Sequence, residues 1–283
     1  MTRYDRVIKN GMIIDGTRLP RYQGDIGIKN GVIANIGHID GMDADEVIDA
    51  DGLIVAPGFV DLHTHYDAQL FWDPYCTISS WHGITSVVIC NCGFGFAPVR
   101  PEERERSMLS MTRVEAIPLA SMQAGMPWDW VTFPEFLDSV DRARKAMNVL
   151  PYVPVSPLLI WVLGLEDAKA GRKPTDEEHA ELVRLMNEAM DAGACGWSAQ
   201  RMIPSGPAAV QRDYDGTAMP SDVMHDDTCR EFANLLRRRN EGFMQMLLVS
   251  GDNKKDRAFM EEMAEISGRP LIMNVIQAFD HKP

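Results

Sequence analysis

The sequence predicts an α/β fold: a (β/α)8 barrel with about six of its eight strands present, preceded by a small amino-terminal β-sandwich portion. Three observations carry this. Short β-like runs broken by turn signals fill residues 1–56, apolar strands alternate with helical segments from residue 59 onward, and the first of those strands ends in two histidines one residue apart. Residues 1–57 are accordingly assigned to the β domain and residues 58–283 to the barrel.

Within the first segment, Asn10-Gly11 and Asn30-Gly31 are dipeptides suited to tight type I′ hairpin turns, which predicts a small antiparallel unit. The barrel strands are then read at Phe59 to His63, Ile84 to Cys92, Val149 to Val155, Ala194 to Ser198, Phe243 to Val249 and Leu271 to Ile276. Two of the intervening helices carry clear end signals. Thr175, with Glu178 three residues on, forms a capping box that opens a run to Ala192 closed by Gly193. Asp252 to Ser267, closed by Gly268, is the second. With six strands in a barrel that needs eight, the outer strands are expected to leave a gap, open or filled by another chain.

Composition excludes several function classes. The 283 residues carry 28 basic and 41 acidic side chains, so the formal net charge is 28 − 41 = −13. An acidic surface argues against nucleic acid or an anionic membrane as partner, and the one basic run, Arg237-Arg238-Arg239, reads as a solvated helix end. No stretch approaches the roughly 18 apolar residues of a membrane span, and the start MTRYDRVIKN lacks the apolar core of a signal peptide. A cytoplasmic location is expected. Five cysteines without framework spacing agree with a reducing compartment, where a special cysteine is a ligand or nucleophile before it is half of a disulfide.

The chemistry concentrates in PGFVDLHTHYD, residues 57–67. Residues i and i+2 of a strand share a side, so His63 and His65 can offer both imidazoles to one cation at the strand's carboxyl end. Asp61 and Asp67 flank them as acceptors able to orient the rings. Cys92, expected at the end of the next strand, would bring a thiolate to the same rim, and nitrogen with sulfur suits zinc. Cys90 is read as core, and Cys76, Cys195 and Cys229 as structural. His38, His82 and His179 are read as surface or capping residues, while His225 and His281 stay open as further ligands.

These residues resemble a family. PGFVDLHTHYD, preceded by Val47-Ile48-Asp49-Ala50-Asp51-Gly52 and followed by Gly83-Ile84-Thr85-Ser86-Val87-Val88, is similar to the barrel entry of the amidohydrolase superfamily. Asn91-Cys92-Gly93-Phe94-Gly95-Phe96-Ala97-Pro98 resembles the D-aminoacylase branch, the N-acyl-D-amino-acid deacylases, whose second strand ends in a cysteine that ligates or bridges zinc. The resemblance implies a TIM-type metallo-hydrolase holding one or two zinc ions through His63, His65 and Cys92. It would cleave the linear amide of a small N-acylated amino acid with a metal-activated water. It also implies a longer chain, with the general-base aspartate beyond residue 283, so that no catalytic residue is assigned within this sequence; a homo-oligomer is compatible.

Two departures stand out. Where the family places metal histidines on strands 5 and 6, the nearest polar groups here are Gln245 and Asn274, poor zinc ligands beside imidazole, which predicts at most one tightly held metal. After strand 4, Arg201 could bind a substrate carboxylate, although a plain loop arginine is the blander reading. Two alternatives remain beside the deacylase. A cyclic-amide hydrolase of the hydantoinase or dihydroorotase kind usually has a carboxylated strand-4 lysine, and residues 193–200 contain no lysine. A diverged or truncated barrel without turnover is the other.

Overall fold

The computed structural model describes residues 3–40, 44–202 and 212–273. Two compact units divide at Phe59/Val60.

In the first unit, strands β1 (Tyr4–Ile13), β2 (Tyr22–Lys29), β3 (Val32–Gly37), β4 (Ala44–Asp49) and β5 (Ile54–Val55) form one five-stranded sheet, ordered β3-β2-β1-β4 with β5 also beside β1. The β1–β2 and β2–β3 pairs are antiparallel, but β4 and β5 run parallel to β1, so the unit is mixed and not purely antiparallel. Asn30-Gly31 makes the expected hairpin between β2 and β3, both residues at positive φ. Asn10-Gly11 does not turn the chain. It forms an irregularity inside β1, with Asn10 at φ +62° and its N–H donating to Asp25 Oδ1 at 2.9 Å.

Asp25 ties this unit together. Its buried carboxylate accepts from Lys9 Nζ (2.8 Å), the Asn10 N–H and the Ile39 N–H (2.9 Å). Burial pushes the carboxyl upward, but these donors outweigh it and hold the pKa at about 2 against an ordinary 3.8. A depressed carboxylate contributes stability that is present above the unfolded pKa and lost as pH falls through the folded one. The unit should therefore lose stability between about pH 4 and pH 2, and Asp25→Asn should flatten that part of an acid titration followed by circular dichroism. An unchanged acid limb in the variant would refute the assignment.

The second unit holds β6 (Phe59–Asp61, its first residue at the unit boundary), β7 (Ile84–Ile89), β8 (Asn148–Pro151), β9 (Val153–Pro154), β10 (Gly196–Met202), β11 (Phe243–Val249) and β12 (Leu271–Met273). They form two sheets, β6-β7-β8 and β12-β11-β10-β9, whose pairs β7–β8, β9–β10, β10–β11 and β11–β12 are parallel. β8 and β9 are the two halves of the single strand expected at Val149 to Val155. Pro151 and Pro154 have no N–H for a continuous ladder, and Val155 already starts a helix, Val155–Leu163. Among the described residues β6 and β12 do not pair, so no closed barrel forms; the part of the sixth strand expected beyond Met273 lies outside them.

Helices cover these sheets where their end signals place them. Thr175 and Glu178 exchange the two capping-box hydrogen bonds at the start of Asp176–Asp191. Asp252 caps Asn253–Ser267, and Gly268 closes it at φ +61°. Asp226–Arg239 ends in the three arginines, with Arg239 paired to Asp191 at 2.7 Å. Between β7 and β8 lie Arg104–Glu115, Leu119–Gly125 and Phe133–Arg142; Phe136 of the last packs edge-on against Trp130, whose indole N–H donates to Phe96 O at 2.8 Å. No helix among the described residues is long and apolar enough to cross a membrane.

Candidate metal centre

His63 and His65 lie just past the end of β6, on either side of Thr64. Thr64 fastens the segment: its N–H and hydroxyl both donate to Val88 O of β7, at 3.1 and 2.8 Å. Asp61 Oδ1 accepts from the His63 N–H at 3.0 Å, and Asn91 Nδ2 donates to Thr64 O at 3.1 Å and Val88 O at 2.9 Å. With Thr64 facing β7, the two imidazoles meet each other, Nε2 to Nε2 at 3.3 Å.

Cys92 does not end a strand. β7 stops at Ile89, and Asn91–Gly93 form a 3₁₀ turn in which Cys90, Cys92 and Gly93 have φ of +61°, +57° and +76°. Two non-glycine residues in the left-handed region are costly and persist where surrounding structure imposes them. Here buried polar side chains from neighbouring strands do so. Gln245 Oε1, on β11, accepts from the Cys92 N–H at 2.6 Å, and Ser198 Oγ, on β10, accepts from the Gly93 N–H at 2.9 Å while donating to Cys90 O. The turn sets Cys92 Sγ 3.5 Å from His63 Nε2, and the ligand atoms of His63, His65 and Cys92 all lie within 4.8 Å of one another.

Such a group could hold a metal ion, and the donor chemistry fits one. Burial, and next the neighbouring His63, push the His65 pKa down to about 3, leaving the neutral imidazole that ligates metals. His65 Nδ1 is buried without a hydrogen-bond partner. Tetrahedral donors 2.0–2.3 Å from a zinc ion stand about 3.3–3.8 Å apart, the range of the Nε2–Nε2 and Sγ–Nε2 contacts.

Two carboxylates border the group. Asp67 is fully buried, and burial raises its pKa to about 6 despite the Cys90 thiol beside it. Glu115, the last residue of helix Arg104–Glu115, reaches within 3.5 Å of His65 Nε2; burial and then the charge of Asp67 raise its pKa to about 7. Glu115 was not marked by the sequence. The available signal is an acid in the final turn of a helix, where the macrodipole disfavours negative charge.

The remaining expected residues lie elsewhere. Gln245 is spent on the Cys92 N–H. Arg201 donates to Met224 O, pairs with Asp226 at 2.7 Å and sits over the Phe259 ring. His225 Nδ1 accepts from the Asp227 N–H as a helix cap, and His179 meets Thr228 Oγ1. Asn274 and His281 lie outside the described residues. Replacing Gln245 by leucine leaves the buried Cys92 N–H without its acceptor and should cost about 1–3 kcal/mol in urea unfolding. A change below about 0.5 kcal/mol would show that the turn does not depend on that bond.

An α/β unit of parallel strands, with two histidines and a cysteine gathered just past the ends of β6 and β7, defines a protein with a group able to ligate a metal. The amidohydrolase family model matches residues 46–201, and the chain belongs to that family. It is 32% identical over 247 residues to an uncharacterized protein of Mycobacterium bovis, covering 83% of this chain and 39% of that protein. It is 34% identical to an N-acyl-D-aspartate deacylase of Alcaligenes xylosoxydans xylosoxydans, covering 76% of this chain and 40% of the relative. Among solved structures, the N-acyl-D-glutamate deacylase of Bordetella bronchiseptica, complexed with zinc and a phosphonate inhibitor, superposes with a TM-score of 0.71 at 26% identity. That match covers 95% of this chain and 50% of the other. The chain thus spans about two-fifths to one-half of the length of these three proteins.

Proposed function

We propose that this chain carries the metal-binding part of a hydrolase that cleaves the linear amide of an N-acyl-D-amino acid. The observation that carries this is the convergence of His63, His65 and Cys92 within 4.8 Å of one another, just past the ends of β6 and β7. The deacylase relatives supply the substrate class, a small N-acylated amino acid, and the zinc of the Bordetella enzyme supplies the metal.

His63 and His65 would hold the ion as neutral imidazoles and Cys92 as a thiolate, with Thr64, Ser198 and Gln245 fixing the backbone that presents them. Bound there, zinc supplies a Lewis acid and lowers the pKa of a bound water toward 7. Arg201 lines a cavity of about 350 Å³ with Asp222, Leu248, Lys255 and Phe259, and its buried Nε lacks a hydrogen-bond partner. Its fork is already spent on Asp226 and Met224 O, and Asp222, Asp226 and Asp256 line the same cavity, so Arg201 serves there as a structural arginine and not as a carboxylate clamp.

The test is hydrolysis by the zinc-loaded protein purified from its native source, assayed on N-acetyl-D-amino acids, their L-enantiomers and a hydantoin. Release of the free D-amino acid is the expected outcome. Opening of the cyclic amide without cleavage of any linear one, or no hydrolysis by a zinc-replete protein, would overturn the proposal.

A further inference from the structure

We propose that Glu115 is a fourth protein donor to the metal held by His63, His65 and Cys92. This rests on the metal-site reading above and adds a residue, from a different segment of the chain, to that site.

The first observation is geometric. Glu115 Oε1 is buried and has no hydrogen-bond partner, yet it stands 3.5 Å from His65 Nε2, the same nitrogen that faces His63 Nε2 at 3.3 Å. A buried carboxylate oxygen that faces an imidazole nitrogen without a hydrogen bond between them is an arrangement that a shared cation would satisfy. That separation matches the roughly 3.3–3.8 Å edge of a zinc polyhedron; as a donor on the His65 side, added to the three whose ligand atoms all lie within 4.8 Å of one another, Glu115 would make the site five-coordinate with the water kept.

The second observation concerns charge. Asp67 is fully buried, neither of its oxygens has a hydrogen-bond partner of good geometry, and its charge acts on Glu115. Among the described residues no lysine or arginine pairs with either carboxylate; the one ion-pair contact of Glu115 is to His65. Two buried carboxylates without a cation repel each other and are poorly solvated. Glu115 adds a third cost by ending the helix Arg104–Glu115, where the terminal carbonyls also repel it. A divalent ion beside Glu115 offsets all three at once. Oxygen, nitrogen and sulfur donors together are compatible with zinc.

Cobalt(II) titration of the full chain tests this, because the thiolate-to-metal charge-transfer band reports Cys92 and the ligand-field bands report coordination. Wild type should bind with both signatures. Glu115→Gln should keep the thiolate band, shift the ligand-field bands and weaken affinity about 10- to 100-fold, with Glu115→Asp recovering part of the loss. The metal-free Glu115→Gln protein should melt no lower than metal-free wild type, since it loses a buried charge; a merely structural role for Glu115 would lower that melting temperature. Unchanged cobalt affinity and bands in Glu115→Gln would overturn the role of Glu115 and leave the three-residue site standing. Failure of wild type to bind cobalt, or unaltered binding by Cys92→Ala, would instead overturn the site itself.

Discussion

Cys92→Ala should lower zinc affinity by about 100- to 1,000-fold, while Cys90→Ala, two residues away, should leave it unchanged. One ligand's share of the roughly 10–16 kcal/mol with which structural zinc sites bind is ~3–4 kcal/mol, which gives the size of the effect. The contrast between neighbours follows from the turn. Cys92 Sγ faces His63 Nε2 at 3.5 Å, whereas the Cys90 thiol is buried, with burial first and Asp67 second raising its pKa well above the ordinary thiol value. Cys90 stays a protonated core side chain and cannot ligate in that state. Competition titrations against a chromophoric chelator measure both variants. Equal losses would mean that the thiol contributes through packing and not through the metal.

Gly196→Ala should destabilise the protein by about 3–5 kcal/mol, among the largest single-residue effects available in this fold. Gly196 opens β10 at φ +139°, and a Cβ there would lie 1.8 Å from Phe243 O and 2.9 Å from Phe243 N, backbone atoms of the paired strand β11. Neither strand can retreat cheaply, since the Phe243 N–H also donates to Cys195 O at 3.0 Å. β10 and β11 carry Ser198 and Gln245, so the same substitution should loosen the Cys92 turn and weaken metal binding in parallel. Urea denaturation reads the first effect. A loss under about 1 kcal/mol would show that the strands separate without penalty at this point.

Local chemistry made part of this architecture legible in advance. The strands at Ile84 and Phe243 start as read because β-branched and apolar runs between turn signals have few other uses. The helix after Thr175 starts as read because Thr175 and Glu178 satisfy each other's orphan N–H groups. His63 and His65 were visible because their spacing and strand-end setting are local. Asn10-Gly11 misled, since the signal for a hairpin and the signal for a bulge are the same left-handed backbone, and Asp25, 15 residues away, decides between them.

The support for Cys92 was hidden for a different reason. Most of β11 is buried, so Phe243-Met244-Gln245-Met246-Leu247 has no polar alternation to say which way Gln245 points. Its partner, the Cys92 N–H, lies 153 residues earlier. Glu115 belongs to the long β7–β8 connection, whose return to His65 across 50 residues is a tertiary fact without a local signature.

Zinc K-edge X-ray absorption on the protein loaded with one equivalent of zinc tests the centre most directly. The account predicts one sulfur scatterer at about 2.3 Å with nitrogen and oxygen scatterers at about 2.0–2.1 Å, and loss of the sulfur shell in Cys92→Ala. A shell of nitrogen and oxygen alone in the wild-type protein, or a sulfur shell that survives in Cys92→Ala, would contradict it.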